Sequence, residues 1–393
     1  MNKAILNTEI QSFINNNLDS NITSILLKGT SFSSLDTKEI IEQIEAKKKC
    51  ENKLATWFQT KNIYYPNKLN IEQTSSEVTA HYKSKLIKGN SLIDITGGFG
   101  VDSLFFSKYF EKIVHCELDK HLSDIVKHNY SQLGVINIET QNIDGIQFLR
   151  ENNKPVDWIY ADPSRRHDRK GKVFFLNDCL PNIPEQLDTI FNYTKNVMIK
   201  TSPLLDLTIG INELNHVKSI HIVAINNEVK EILWILEKNF LDEIFVKTVN
   251  IFKEDFIAFD FLLNDEKKHR SEYSLPLTFL YEPNAAVLKA GAFNIITKQL
   301  QVFKLHTNSH LYTSHKLIDF PGRRFKIENI LPYHIKTIKQ ANLKKANITT
   351  RNFPESVQQL RKKLNIKDGG EKYLFFTTDK DDRRIVIITS KLF

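Results

Sequence analysis

The chain has 393 residues, of which 41% are hydrophobic and 25% charged, a balance that predicts a soluble globular protein with several cores rather than a disordered or membrane one. Every apolar run falls short of the roughly 18 residues a membrane-spanning helix needs, and the N-terminus, with Glu9 and no long apolar stretch, does not read as an export signal, so the expected location is the cytoplasm. Net charge is +8, but Phe320–Phe393 holds 17 Lys and Arg against 7 Asp and Glu, which leaves everything before it slightly acidic.

A basic segment of that kind fits capture of a polyanion, because clustered cations gain from counterion release; it equally fits a solvated surface. Cys50, Cys116 and Cys179 are too scattered for a disulfide framework or a zinc site, and the twelve histidines show no metal-binding spacing, so no metal is expected.

In chain order, residues 1–85 read as helical, with Ile40, Ile41 and Ile44 and then Leu54, Trp57 and Phe58 at helical spacing, interrupted by Pro66. A further helix is predicted from about Ser75, capped by Thr74, Ser75 or Ser76. Residues 86–265 alternate short β-rich runs with amphipathic stretches, the pattern of a parallel sheet. Strands are predicted at Leu92–Ile95, Ile113–Glu117, Ile136–Thr140, Trp158–Ala161, Val197–Lys200, Ile220–Ala224, Phe245–Phe252 and Phe256–Leu263, with helices over Asp102–Tyr109 and His121–Leu133. The expected fold is α/β, with a seven-stranded sheet containing one antiparallel member. Asn264–Ser271 reads as a linker, 266–318 as a small unit, and 319–393 as a basic unit. That last unit should carry a helix with Val357, Leu360 and Leu364 on one face, and a terminal hairpin of Tyr373–Thr378 and Ile385–Thr389.

The chemistry concentrates in Leu92-Ile-Asp-Ile-Thr-Gly-Gly-Phe-Gly-Val-Asp102, a buried strand entering a glycine-rich turn and then a helix. Such a turn lets a ligand lie against the backbone near free helix N–H groups, and by itself is open between a dinucleotide, a nucleoside and no ligand. Glu117 ends the next strand where a carboxylate can accept ribose hydroxyls, or is an ordinary strand-end acid. The spacing D-x-x-G-G-x-G differs from the dinucleotide G-x-G-x-x-G. Asp144 can accept from an adenine amino group, cap the helix after it, or do both. Asp162-Pro163 leaves the fourth strand at the crevice where open α/β sheets bind ligands.

Asp94, the glycines, Glu117, Asp144 and Asp162-Pro163 together resemble the class I S-adenosylmethionine-dependent methyltransferases. Asp162-Pro-Ser-Arg-Arg166, Glu72-Gln-Thr-Ser-Ser-Glu77, Tyr281-Glu-Pro-Asn-Ala-Ala286, Lys289-Ala-Gly-Ala-Phe293 and Phe320-Pro-Gly-Arg-Arg-Phe325 narrow this. They resemble a family with a Rossmann-like core, a ferredoxin-like unit and a C-terminal THUMP-like domain, across essentially the whole chain. The resemblance implies S-adenosylmethionine as cofactor, contacted by Asp94, Thr96, Gly98, Gly100, Glu117 and Asp144. It also implies RNA, tRNA or rRNA, as substrate.

Asp162, Pro163, Ser164 and Arg165 are then the expected catalytic segment. In amino-methyltransferases an aromatic usually follows the proline; Ser164 and Arg165 stand there instead, and an arginine plane can stack on a base in its place. The run is also similar to uracil-C5 RNA methyltransferases, but Ile199-Lys-Thr-Ser-Pro lacks their cysteine and Cys179 lies too early. Arg166, Arg169, Lys170 and Lys172 are candidates for phosphate contact beside the reacting centre. Arg323, Arg324, Arg351, Arg361, Lys362 and Lys363 are candidates for RNA backbone contact, with Phe325 and Phe353 beside them. Gln73, Ser75 and Ser76 are placed over the cofactor or, equally, in a helix cap. The expected function is RNA methylation; the alternatives are methylation of a protein or small molecule, or RNA binding without catalysis. Internal pairing of the C-terminal cations would favour the protein or small-molecule substrate.

Overall fold

The computed structural model describes residues 1–32, 35–165, 175–253 and 255–392. The chain divides into two compact units, Met1–Val217 with Leu233–Phe240, and Lys218–Ile232 with Leu241–Phe393. The first unit opens with helices α1 (Thr8–Asn16), α2 (Ile22–Lys28), α3 (Thr37–Lys53), α4 (Ala55–Gln59), α5 (Lys68–Gln73) and α6 (Glu77–Ser84). Polar N-caps start most of them: Asn7, Asn21, Asp36, Asn67 and Ser76 each accept a backbone N–H of the first turn.

The sheet strands that follow are β1 (Gly89–Asp94), β2 (Phe110–Cys116), β3 (Ile138–Gln141), β4 (Trp158–Ala161), β5 (Asn196–Thr201), β6 (Val217–Ile225), β7 (Glu228–Glu237), β8 (Phe245–Phe252) and β9 (Asp255–Leu262). Helices α7 (Val101–Phe106), α8 (Lys120–Gln132) and α9 (Gly145–Asn152) follow β1, β2 and β3. The strand order is β9-β8-β6-β7-β5-β4-β1-β2-β3, with the run β5-β4-β1-β2-β3 parallel throughout, β6 parallel to β8 and β9 antiparallel to β8.

Eight strands were placed in the sequence, against an expected seven-stranded sheet, and the sheet has nine. The unforeseen one is β7, whose apolar residues Ile232–Leu236 are contiguous and so show no period-two alternation. The turn before it, Asn226-Asn227, has both residues at positive φ, the geometry of a two-residue hairpin. β3 starts two residues later than predicted because Ile136 is 98% exposed, outside the ladder. The expected linker from Asn264 is instead largely the helix Leu263–Lys268, with acids in its first turn and lysines in its last, which suits the helix dipole.

The N-terminal helices do not keep a core to themselves. Ile40, Ile44, Trp57 and Ile71 share one apolar cluster with Phe99, Leu104 and Phe105 around α7 and with Leu122, Ile125 and Tyr130 of α8.

In the second unit the remaining strands are β10 (Phe279–Pro283), β11 (Phe303–Lys304), β12 (Tyr312–Ser314), β13 (Gly322–Pro332), β14 (Asn347–Arg351), β15 (Lys372–Thr378) and β16 (Arg384–Leu392). They form a single sheet, β11-β12-β10-β13-β16-β15-β14, because β10 pairs antiparallel with β13. The helix Val357–Leu364 starts in a capping box of Ser356 and Gln359 and buries Leu360 and Leu364, as its spacing predicts. β15 and β16 form the predicted hairpin.

Burial pushes the imidazoles of His115, His221 and His310 down to about 4 each. A base depressed in the folded state adds stability above its unfolded value near 6.5, and that stability is lost as pH falls towards 4. Asp94, raised to about 7 chiefly by burial, acts in the opposite direction as pH falls below 7. Three histidines outweigh one carboxyl. The melting temperature measured by calorimetry should therefore fall between pH 7 and pH 5, and a flat or rising profile would contradict this balance.

Candidate functional site

The carboxyl ends of β1, β2, β4 and β5 bring together most of the predicted cofactor and catalytic residues. Asp94, at the end of β1, is 1% exposed; one carboxylate oxygen accepts from Thr96 N (3.0 Å) and the other from Ser103 Oγ (2.7 Å). It braces the turn between strand and α7. Gly97 has to be small, since a Cβ there would sit 2.3 Å from the buried His115 ring, and Gly100 adopts φ +78° with its carbonyl taken by Tyr130 Oη at 2.9 Å.

Glu117 lies just past β2 and ties two backbones together: Gly98 N donates to it at 2.8 Å and Asp119 N at 2.7 Å. The carboxylate remains partly exposed above the turn. Asp144 is the exposed N-cap of α9, accepting from Gln147 N at 2.9 Å, so its capping role is realised. Thr96 joins this edge to β4: its hydroxyl accepts from Asp162 N at 2.6 Å.

Beyond β4, Pro163 is buried and Ser164 exposed, and a two-residue ladder pairs Ser164 with Leu180 and Arg165 with Cys179. The phosphate-contact candidates Arg166, Arg169, Lys170 and Lys172 lie outside the described residues.

Two lysines that sequence reading did not single out stand at the same edge. Lys200, near the end of β5, is ion-paired with the Asp162 carboxylate. The rule that places ligands at strand carboxyl ends points to it as much as to Asp162. Lys53, at the end of α3, donates to the Ile71 and Glu72 carbonyls, both at 2.8 Å, and so fixes the start of the Glu72–Glu77 segment. Burial first, and then the Lys200 cation, push its ammonium down to about 8.

That segment also joins a buried polar cluster. Ser75 Oγ (2.8 Å) and Tyr160 Oη (2.7 Å) donate to Asp102, and Lys83 of α6, completely buried, is ion-paired with it at 3.1 Å. Burial alone would make Asp102 less acidic; the Lys83 and Lys200 cations and these hydrogen bonds outweigh it and hold the carboxyl below its usual value. Ser76 caps α6 and Gln73 is exposed, so of the three residues predicted over the cofactor only Ser75 joins the cluster.

In the second unit the predicted cations are engaged with carboxylates. Glu282, 3% exposed, takes both Arg323 (Nε at 2.6 Å) and Arg351 (Nη2 at 2.8 Å). Arg324 pairs with Asp319, Arg361 with Asp368 and Lys363 with Glu355. Lys362 alone of the six has no ion-pair partner among the described residues. Phe325 and Phe353 are packed in apolar clusters rather than held out for a base.

Comparison with known proteins agrees with this layout. The family described as a ferredoxin-like domain matches residues 279–321, and the one described as THUMP domain-like matches 322–391. A protein of Porphyromonas gingivalis W83 described as a candidate methyltransferase is 30% identical, over 100% of this chain and 99% of that one, with a TM-score of 0.89. The chain belongs to the same family, methyltransferases with a Rossmann-like core, a ferredoxin-like domain and a THUMP-like domain.

Far weaker likenesses include a protein of Vibrio vulnificus YJ016 described as a type I restriction-enzyme modification subunit (12% identity, 51% of this chain, 56% of that, TM-score 0.35). Another is M. capricolum TrmK with S-adenosyl-homocysteine (13%, 42% and 70%, TM-score 0.33). At those scores neither carries weight. No curated protein matches the chain.

Replacing Lys83 by Met strands the Asp102 carboxylate in a dry site and should cost on the order of 3–5 kcal/mol in denaturant unfolding. Adding Asp102→Asn should recover part of it. A double variant no more stable than Lys83→Met would refute the pairing as the source.

Proposed function

We propose that this protein uses S-adenosylmethionine to methylate RNA at the carboxyl edge of its Rossmann-like sheet. One observation carries the cofactor reading: the Glu117 carboxylate is clamped by Gly98 N and Asp119 N while staying partly exposed over the glycine turn. Both its oxygens are oriented by backbone donors yet keep lone pairs for a diol, which suits the ribose of a nucleoside cofactor. Gly98 itself, at φ +57°, has no contact for an added Cβ except the Thr96 carbonyl at 3.8 Å, so the space above it is open to a ligand lying on the backbone. The donor set fits the cofactor.

When bound, S-adenosylmethionine supplies an electrophilic methyl on a sulfonium. The chain's own residues then have to align the acceptor. Asp162 and the Pro163 carbonyl accept hydrogens from the acceptor group, the Thr96 hydroxyl fixes the Asp162 backbone, and Lys200 fixes its carboxylate. Because Lys200 engages one oxygen, Oδ2, the other can face the substrate.

RNA as the acceptor rests on the THUMP-like segment and on the surplus of cations after Phe320. A second reading, a protein or small-molecule acceptor, has a specific observation on its side: five of the six cations predicted to touch RNA are paired internally.

The test is methyl incorporation from labelled S-adenosylmethionine into total tRNA and rRNA from cells lacking the gene. Wild-type protein should label RNA and Asp162→Ala should do so about 10²-fold more slowly. Cofactor binding without labelling of either RNA would move the acceptor to protein or small molecules. In a parallel titration calorimetry experiment, Glu117→Ala should weaken cofactor binding about tenfold or more, since a charge-assisted contact is lost. Unchanged affinity would remove Glu117 from the cofactor site.

A further inference from the structure

Among the second unit's cations that have no ion-pair partner among the described residues, three lysines sit on two loops that the backbone locks together. Ala346 N donates to Lys367 O and Lys367 N to Lys344 O, both at 3.0 Å, so the loop before β14 and the loop before β15 run side by side. Asn347 Nδ2 adds a bond to Gly370 O at 2.7 Å. Arg361 closes the pair from beneath, donating to the Ala346 carbonyl at 3.1 Å, and its partner Asp368 is thereby neutralised. Gly369, at φ +88°, leaves room for the Lys345 stem, which a Cβ would meet at 2.9 Å.

Lys344, Lys345 and Lys367 lie on this paired platform, and the helices leading into the two loops, Ile335–Gln340 and Val357–Leu364, carry Lys339 and Lys362. All five are exposed, and among the described residues none has an ion-pair partner. Glu371, exposed on the same loop, is the one acid here not held by Arg361. The balance of the platform is strongly positive.

We propose that Lys339, Lys344, Lys345, Lys362 and Lys367 form the surface that holds the phosphate backbone of the substrate RNA. The proposal rests on the RNA reading above and names where that RNA is gripped. Recognition here is of backbone and not of bases, because the nearby aromatic rings, Tyr333, Phe353 and Phe376, pack edge-on against one another in the core. Phosphate contacts of this kind position a nucleic acid without reading its sequence. An anionic membrane fits less well: the apolar residues of the platform, Leu343 and Ile366, belong to the core and give nothing to insert into lipid.

The full-length protein should be titrated with total tRNA at 50, 100 and 200 mM salt by fluorescence anisotropy, comparing wild type, Lys344→Gln/Lys345→Gln/Lys367→Gln, and Lys3→Gln/Lys28→Gln/Lys38→Gln. The last variant removes equal charge from exposed lysines of the N-terminal helices. Each lost phosphate contact flattens the slope of log affinity against log salt by about 0.7–0.9, so the first variant should be shallower by about 2–3 and the second nearly unchanged. Cofactor affinity should not move in either. Equal losses in the two variants, or no tRNA binding by wild type, would overturn the proposal. In a parallel titration with phosphatidylserine vesicles, a loss by the first variant confined to the vesicles, with tRNA binding unchanged, would overturn it too. Lysine-dependent tRNA binding without methyl incorporation would sustain this surface while defeating the methylation reading.

Discussion

The arrangement turns on one buried carboxylate. Asp102, in the first turn of α7, gathers Lys83 from α6, Ser75 from the segment before it, and Tyr160 from β4. Three stretches of chain far apart in sequence meet at this charge, and each leads directly into the site: the helix of the glycine turn, the Glu72–Glu77 segment, and the strand that delivers Asp162. A charge in so dry a place is tolerated only when its partners are present, so the N-terminal helices are bound to the Rossmann-like sheet by more than apolar contact. The shared apolar cluster around Trp57 and Phe99 completes the attachment.

Around that anchor the site is a set of backbone positions held by side chains. Asp94 braces the turn, Glu117 ties the turn to α8, and Thr96 ties it to the Asp162 backbone. The acids that the sequence marks out therefore have structural bonds of their own. This is compatible with ligand contact at Glu117, which stays partly exposed, and less so at Asp94, whose oxygens are both taken inside the protein. Preorganisation of this kind suits methyl transfer, where alignment matters more than acid–base power.

The second unit separates cations that build from cations that are free. Arg323 and Arg351 converge on Glu282, a buried acid from the Tyr281-Glu-Pro-Asn motif, and so join β10, β13 and β14 within one sheet. Arginine suits that work because its fork satisfies a carboxylate with two bonds. Exposed lysines without an ion-pair partner among the described residues stand on the loops before β14 and β15.

Local pattern alone determined a good deal of this protein. Alternation of apolar runs marked β1, β2, β4, β5 and β8, and helical spacing with a capping serine marked Val357–Leu364. The Asp-x-x-Gly-Gly-x-Gly turn, Glu117 and Asp162 could be placed at strand ends because strand and turn signals are short-range. Tertiary structure decided what depends on partners distant in the chain. Lys53 carries no local signal, and only the tertiary fold pairs Lys200 of β5 with Asp162 and brings Lys53 of α3 within reach of the Lys200 charge. β7 hid because a strand covered on both faces loses its alternation. Whether a given arginine faces solvent or a carboxylate was likewise a tertiary matter: charge is written in the sequence, but its neutralisation by Glu282 requires a sheet that brings residues 282, 323 and 351 together.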